Sequence, residues 1–276
     1  MFERRYVAKR IRRIAIALGA GISATGIGVF SIVAFLGRFV GTFTVALDNA
    51  NVALTLSETS TFERQESFLH IDALPQFAET TFTNLPGDEY LDNEETDYLA
   101  GGVINPDGGI DRLNYFKYTF FLKNIGNVEA RYQFKINIMD SLPTEEKIPR
   151  YLDDTMRLML YENDMNSDTH DKAVYAKWRK IPYESPTGDV INETPISYDE
   201  ESRTPMPDFQ GGYAKLFESE KVIADKFVEN FEIGAVKRYT LVMWMEGNDE
   251  DSSHLMGSPE GAKIKIGVEI NAYETK

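Results

Sequence analysis

Carboxylates dominate the side chains capable of chemistry in this 276-residue chain, which holds 44 acidic residues, 29 basic ones, three histidines and no cysteine. The densest oxygen-rich turn is Asn105-Pro106-Asp107-Gly108-Gly109-Ile110-Asp111. Asn105, Asp107 and Asp111 stand at relative positions 1, 3 and 7 around a glycine turn, the spacing that calcium loops favour. It is not an EF-hand, because position twelve is Phe116 rather than glutamate. A second cluster, Glu246-Gly247-Asn248-Asp249-Glu250-Asp251, follows a strand-like run. Two readings stand side by side for both: Ca2+ ligation, or solvated acidic faces that keep the chain soluble.

Other chemistry finds little support. Without cysteine there is no disulfide, thiolate zinc site or cysteine nucleophile. His70, His170 and His254 are widely spaced, and no HExxH, GxSxG or P-loop occurs. A carbohydrate-active site needs two facing acids at roughly 5–10 Å, and the acids are too many to single out a pair. Trp178 and Trp244 lie in strand-like segments, where large rings more often build core than sugar platforms. The expectation is therefore a protein that is not an enzyme. A net charge of −15 argues against nucleic acid, which demands a basic footprint.

That charge is divided unevenly. Residues 1–38 contain seven basic side chains and one acid, which leaves residues 39–276 with a net −21. Between them, residues 14–36 read IAIALGAGISATGIGVFSIVAFL without a charge, long enough as a helix to cross roughly 30 Å of hydrocarbon. The basic flank predicts residues 1–13 as a cytoplasmic stub, 14–36 as a transmembrane or signal-anchor helix, and 38–276 as an extracellular domain. Cleavage of the segment would make that domain a secreted one, although the small-x-small junction of a signal peptide is poor here.

Beyond Arg38 the apolar period becomes two. Phe43, Val45 and Leu47 share a face, and Val52, Leu54 and Leu56 repeat the pattern after the polar Asp48–Asn51. Tyr115–Lys123 and Glu129–Ile138 read as a strand pair joined by Asn124-Ile125-Gly126-Asn127, whose Gly and Asn suit positive φ. Further strands are expected over 157–161, 173–179, 221–227, 238–245 and 263–273, and a helix over 144–154 divided at Pro149. The fold class is mainly β: an antiparallel sandwich or jelly roll with long acidic insertions near 58–112 and 181–212.

Tyr118-Thr119-Phe120-Phe121-Leu122-Lys123-Asn124-Ile125-Gly126-Asn127, with Ala130-Arg131-Tyr132 after it and Gly41-Thr42-Phe43-Thr44 behind the apolar segment, resembles the TasA/camelysin-like exported proteins of Gram-positive bacteria. Tyr239–Asp249 and Val174–Lys177 are more similar still to an uncharacterised set of Firmicutes membrane-anchored surface proteins. The resemblance implies a jelly-roll-like ectodomain and, for the TasA branch, a subunit of fibres or biofilm matrix in which an N-terminal strand completes a neighbour's sheet. Val40, Phe43, Val45 and Leu47 then mark the candidate donor strand, the local alternative being the first strand of the chain's own sandwich. Two functions follow: a structural or adhesive surface protein that self-associates, or an anchored binding module for an envelope protein or a cation.

Overall fold

The structure is a computed structural model that describes residues 39–47, 51–71, 76–92, 102–104, 110–166, 169–179, 183–184, 188, 190–191, 193–206, 212–252 and 261–274. The apolar segment 14–36 lies outside these residues, and among those described no helix is long and apolar enough to cross a membrane. The chain is mainly β. In order the strands are β1 (Phe39–Leu47), β2 (Leu54–Ser57), β3 (Phe68–Ile71), β4 (Gln76–Phe77), β5 (Gly102–Ile104), β6 (Ile110–Leu113), β7 (Tyr115–Asn124), β8 (Ala130–Leu142), β9 (Met156–Asp164), β10 (Thr169–Ala176), β11 (Tyr183–Glu184), β12 (Val190–Ile191), β13 (Lys215–Leu216), β14 (Val222–Phe231), β15 (Val236–Met245) and β16 (Lys263–Glu274).

Two sheets carry the architecture. The first has the order β14-β8-β16-β1-β3 and the second β13-β10-β9-β15-β7-β2. Between them, Phe120, Leu122, Tyr132, Phe134, Leu158, Leu160, Tyr239, Leu241 and Val268 form one continuous apolar layer. At its centre the rings of Phe134 and Tyr239 stack with centroids 4.5 Å apart, and the Tyr132 and Tyr239 hydroxyls share a hydrogen bond of 2.6 Å. That bond satisfies two polar atoms which burial would otherwise leave without partners.

The expected strands 115–123 and 129–138 are both present but do not pair with each other. β7 pairs with β15 and β2 in the second sheet, whereas β8 pairs with β14 and β16 in the first. Their joint is an arch between sheets rather than a hairpin. Asn124 accordingly takes none of the positive φ expected there; its buried amide donates to the carbonyls of Val128 and Phe231 at 3.0 and 2.9 Å, and its oxygen accepts from Gly126 N. Gly126 is required by crowding: an added Cβ would stand 2.8 Å from both Ala53 N and Asn51 O. β1 and β2 likewise belong to different sheets.

The helix expected over 144–154 shrinks to one turn, Leu152–Thr155. Pro149 removes a donor from the middle of the stretch, and Thr144 N instead closes a loop onto Arg150 O at 2.9 Å.

Burial patterns separate the sheets. β8 alternates buried and half-exposed residues, so the first sheet has one wet face. β7 is buried at nearly every position and β15 over its last seven residues, because the second sheet is covered on both sides. Its outer cover is a second apolar cluster of Leu91, Tyr115, Met159, Tyr161, Val174, Ile196, Ala214, Val242 and Trp244, with Phe82 and Leu85 packed against it. Leu91, Phe82 and Leu85 come from the 58–112 stretch, and Ile196 from the 181–212 stretch. The long acidic insertions fold back over the sheet they interrupt.

Candidate functional site

The covered face of the second sheet gathers several charged groups, the deeply buried Arg157, Glu246 and Asp249 among them. Period-2 geometry puts Arg157, Met159, Tyr161 and Asn163 of β9 on that face, level with Trp244, Val242, Thr240 and Arg238 of β15. Residues 79–92 cross it as a strap. Thr80 bridges Glu246 at one end, the Phe82 ring lies 5.9 Å from that of Trp244, and the one-turn helix Asp88–Leu91 seats Leu91 at the other end.

Acids of the strap take the cations of the sheet. Asp88 Oδ1 accepts from the Tyr161 hydroxyl at 2.7 Å and from Lys172 Nζ at 2.9 Å. Asp92 Oδ1 accepts from Arg238 Nη2 at 2.7 Å and from Asn163 Nδ2 at 2.8 Å, and Asn163 Oδ1 meets His170 Nδ1. Burial opposes ionisation of Asp88, but the Lys172 and Tyr161 contacts outweigh it and hold its pKa below the usual aspartate value. Tyr161 is pushed far upward by burial and by the Asp88 carboxylate beneath it.

At the opposite end, the acidic turn after β15 is clasped by arginines. Arg157 Nη2 donates to Asp249 Oδ2 at 2.8 Å with both side chains buried. Arg179 pairs with Glu250 and donates to the Tyr198 hydroxyl, and Arg150 Nη1 donates to Asp251 O at 2.8 Å. Glu246 is fully enclosed; its Oε2 accepts from Phe82 N and Trp244 Nε1, both at 3.0 Å, while its Oε1 has no hydrogen-bond partner among the described residues. Burial raises the Glu246 pKa against the pull of Arg157 and these two donors. Burial also works against charge on Arg157, yet Asp249, Tyr198 and Glu246 more than compensate and it stays cationic.

The candidate calcium ligands fall elsewhere. Asn105 and Asp107 lie outside the described residues, and Asp111 sits in β6 at the irregular pairing with β5. In the second acidic cluster the carboxylates of Asp249 and Glu250 are occupied by guanidinium groups. Among the described residues no three His, Cys, Asp or Glu side chains converge as a metal cage. His254 lies outside the described residues. Of the tryptophans, Trp244 is core at 1 % exposure and Trp178 is 46 % exposed.

Sequence reasoning overlooked Arg157, Arg179, Asp88 and Asp92. The signal available was Arg157 inside the apolar run Met156–Tyr161: a charge that deep in a doubly buried strand demands a buried partner. A cavity of about 470 Å³ opens beside the strap, with Phe82, Val174 and Ile196 as apolar walls and Lys172, Tyr213 and Lys215 contributing polar groups.

β1 runs parallel to β16 over nine register pairs, Phe39↔Ile264 through Leu47↔Ala272. Phe43, Val45 and Leu47 pair with the buried Val268, Ile270 and Ala272, and Val45 packs on the core. Val40 has the opposite parity and pairs with Lys265. On its other side β1 pairs, among the described residues, with the short β3 over Gly41–Thr44, and Val45 N donates to Ser67 O at 3.0 Å. No protein-family model, curated protein or solved structure matches this chain.

Proposed function

We propose that the chain is a non-enzymatic cell-surface protein, structural or adhesive, anchored by residues 14–36 and assembling through exchange of β1. The observation that carries this reading is the setting of β1. It directly follows the apolar segment, is held to β16 by main-chain pairing along its whole length, and among the described residues pairs on its other side with a four-residue strand. Transfer of β1 to the β16 of a second copy re-forms the same pairs, so exchange depends on concentration more than on new contacts. The other routes to edge association are blunted. β2, β3 and β13 are edge strands of two to four residues, and the long edge strand β14 is interrupted by two register shifts and carries Asp225, Lys226 and Glu229.

The absence of native cysteine supplies the test. Thr44 and Glu269 are register partners, both half-exposed. One preparation of full-length chain carrying Thr44→Cys is mixed with one carrying Glu269→Cys and oxidised. Interchain Thr44→Cys/Glu269→Cys disulfides are expected; their absence, alongside efficient intrachain closure in the double variant, rejects exchange.

The cavity beside the strap favours the second reading, an anchored binding module. Its Lys215, on an otherwise anionic domain, suits an acidic, partly apolar ligand, whereas the Lys172 ammonium at its rim is already paired with Asp88. Loss of partner capture in Lys215→Glu with unchanged thermal stability is the outcome that supports it.

A further inference from the structure

We propose that one end of the sandwich lies against the lipid surface through a collar of exposed apolar side chains. The collar consists of Met139, Leu142, Ile148, Tyr151 and Trp178. The inference deepens the anchored reading above and rests on it.

A row of contacts crosses the end where β1 begins, and these five residues lie near its members in the chain. Phe39 pairs with Ile264, and Ile264 with Ser141 of β8. The Ser141 hydroxyl donates to Asp153 Oδ1 at 2.7 Å, and Asp153 Oδ2 accepts from Lys177 Nζ at 2.7 Å, one residue before Trp178. Met139 and Leu142 flank Ser141 on β8. Ile148 and Tyr151 belong to the loop between β8 and the helical turn that contains Asp153. All five are exposed, Ile148 at 74 % and Trp178 at 46 %.

Chain length identifies what covers them. The apolar segment ends at Leu36 and β1 starts at Phe39, so only Gly37 and Arg38 intervene. At most about 3.5 Å per residue, that link holds the Phe39 end within roughly 10 Å of the hydrocarbon boundary. Trp and Tyr are the residues favoured at that depth, where a ring meets both acyl chain and headgroup. A lysine, Lys147, sits beside Ile148, but Glu145 and Glu146 precede it and the exported part is strongly anionic. Apolar insertion into a zwitterionic surface, rather than attraction to anionic lipid, is therefore the mode of contact.

The two tryptophans make the test selective, because Trp244 is enclosed and Trp178 is the one that solvent or lipid reaches. Full-length protein is reconstituted into phosphatidylcholine vesicles with or without spin-labelled lipid, and flotation is measured with tryptophan emission. The expected result is flotation, quenching by shallow labels, loss of that quenching in Trp178→Phe, and weaker quenching in Ile148→Asp. Vesicles that float with unquenched tryptophan, or with quenching indifferent to Ile148→Asp, overturn the collar and leave the anchor standing. Failure to float overturns the anchored reading, and the collar with it.

Discussion

Arg157 Nη2 and Asp249 Oδ2 meet 2.8 Å apart between the second sheet and the turn that follows it, with the guanidinium wholly enclosed and the carboxylate nearly so. An acidic cluster that reads in sequence as cation-binding thus receives its positive charge from a residue 92 positions away. The same arrangement recurs across the face in Asp92 with Arg238 and Asp88 with Lys172, and at the end of the sandwich in Asp153 with Lys177. Acids on the connecting segments fasten those segments to cations of the strands.

Removing Asp249 takes from the enclosed Arg157 guanidinium its hydrogen-bonded carboxylate and leaves its bonds to neutral oxygens, the Thr155 and Pro195 carbonyls and the Tyr198 hydroxyl. Asp249→Ala is expected to lower unfolding stability by about 3–5 kcal/mol. The double variant Arg157→Met, Asp249→Leu is expected to recover most of that loss, since apolar replacement removes both desolvation penalties. Urea melts of the three proteins check this, and equal losses in the single and double variants count against it.

Glu246 has its pKa raised in the folded state, so the fold binds a proton there more tightly than the unfolded chain does. Its contribution is fully present below the ordinary glutamate value of 4.5 and is lost as pH rises through the folded value. Glu246→Gln keeps a carbonyl acceptor for Phe82 N and Trp244 Nε1 and removes the titration. Its melting midpoint is expected to gain on the parent as pH increases from 4 to 8, a trend that parallel thermal scans would reveal or refute.

Asp88 behaves oppositely, because its folded pKa is depressed. Its stabilisation is present above the ordinary value of 3.8 and disappears as pH falls through the lower folded value. Asp88→Asn is expected to speed amide exchange in residues 79–92 at neutral pH, with the difference from the parent vanishing in strong acid. Exchange confined to the rest of the chain would show that Asp88 does not hold the strap.

Gly126→Ala probes the arch between β7 and β8. The added methyl meets backbone atoms of residues 51 and 53 at 2.8 Å, and neither is a yielding side-chain end. A loss of roughly 1–3 kcal/mol is expected from the forced shift, read as a lower urea midpoint; a neutral outcome would place the arch farther from residues 51–53.

Period-two alternation is a local property, and it marked β8 and β16 because each shows one face to core and one to water. The apolar density of β7 and β15 likewise identified strands from residue types alone. The division of charge at Arg38 and the uncharged run 14–36 are properties of the sequence by itself. Pairing partners were another matter. β7 and β8 looked like a hairpin because nothing local tells a tight turn from an arch; that choice lies in Asn124, whose amide reaches Phe231, 107 residues onward. The near-continuous apolar character of β7 fits a strand covered on both faces, but that cover, and what supplies it, emerged only when Phe82, Leu91 and Ile196 came together in space. The carboxylates were visible from the outset as residue types. Whether they face water, a cation or a guanidinium depends on desolvation and on partners distant in sequence, quantities that exist only once the chain has folded.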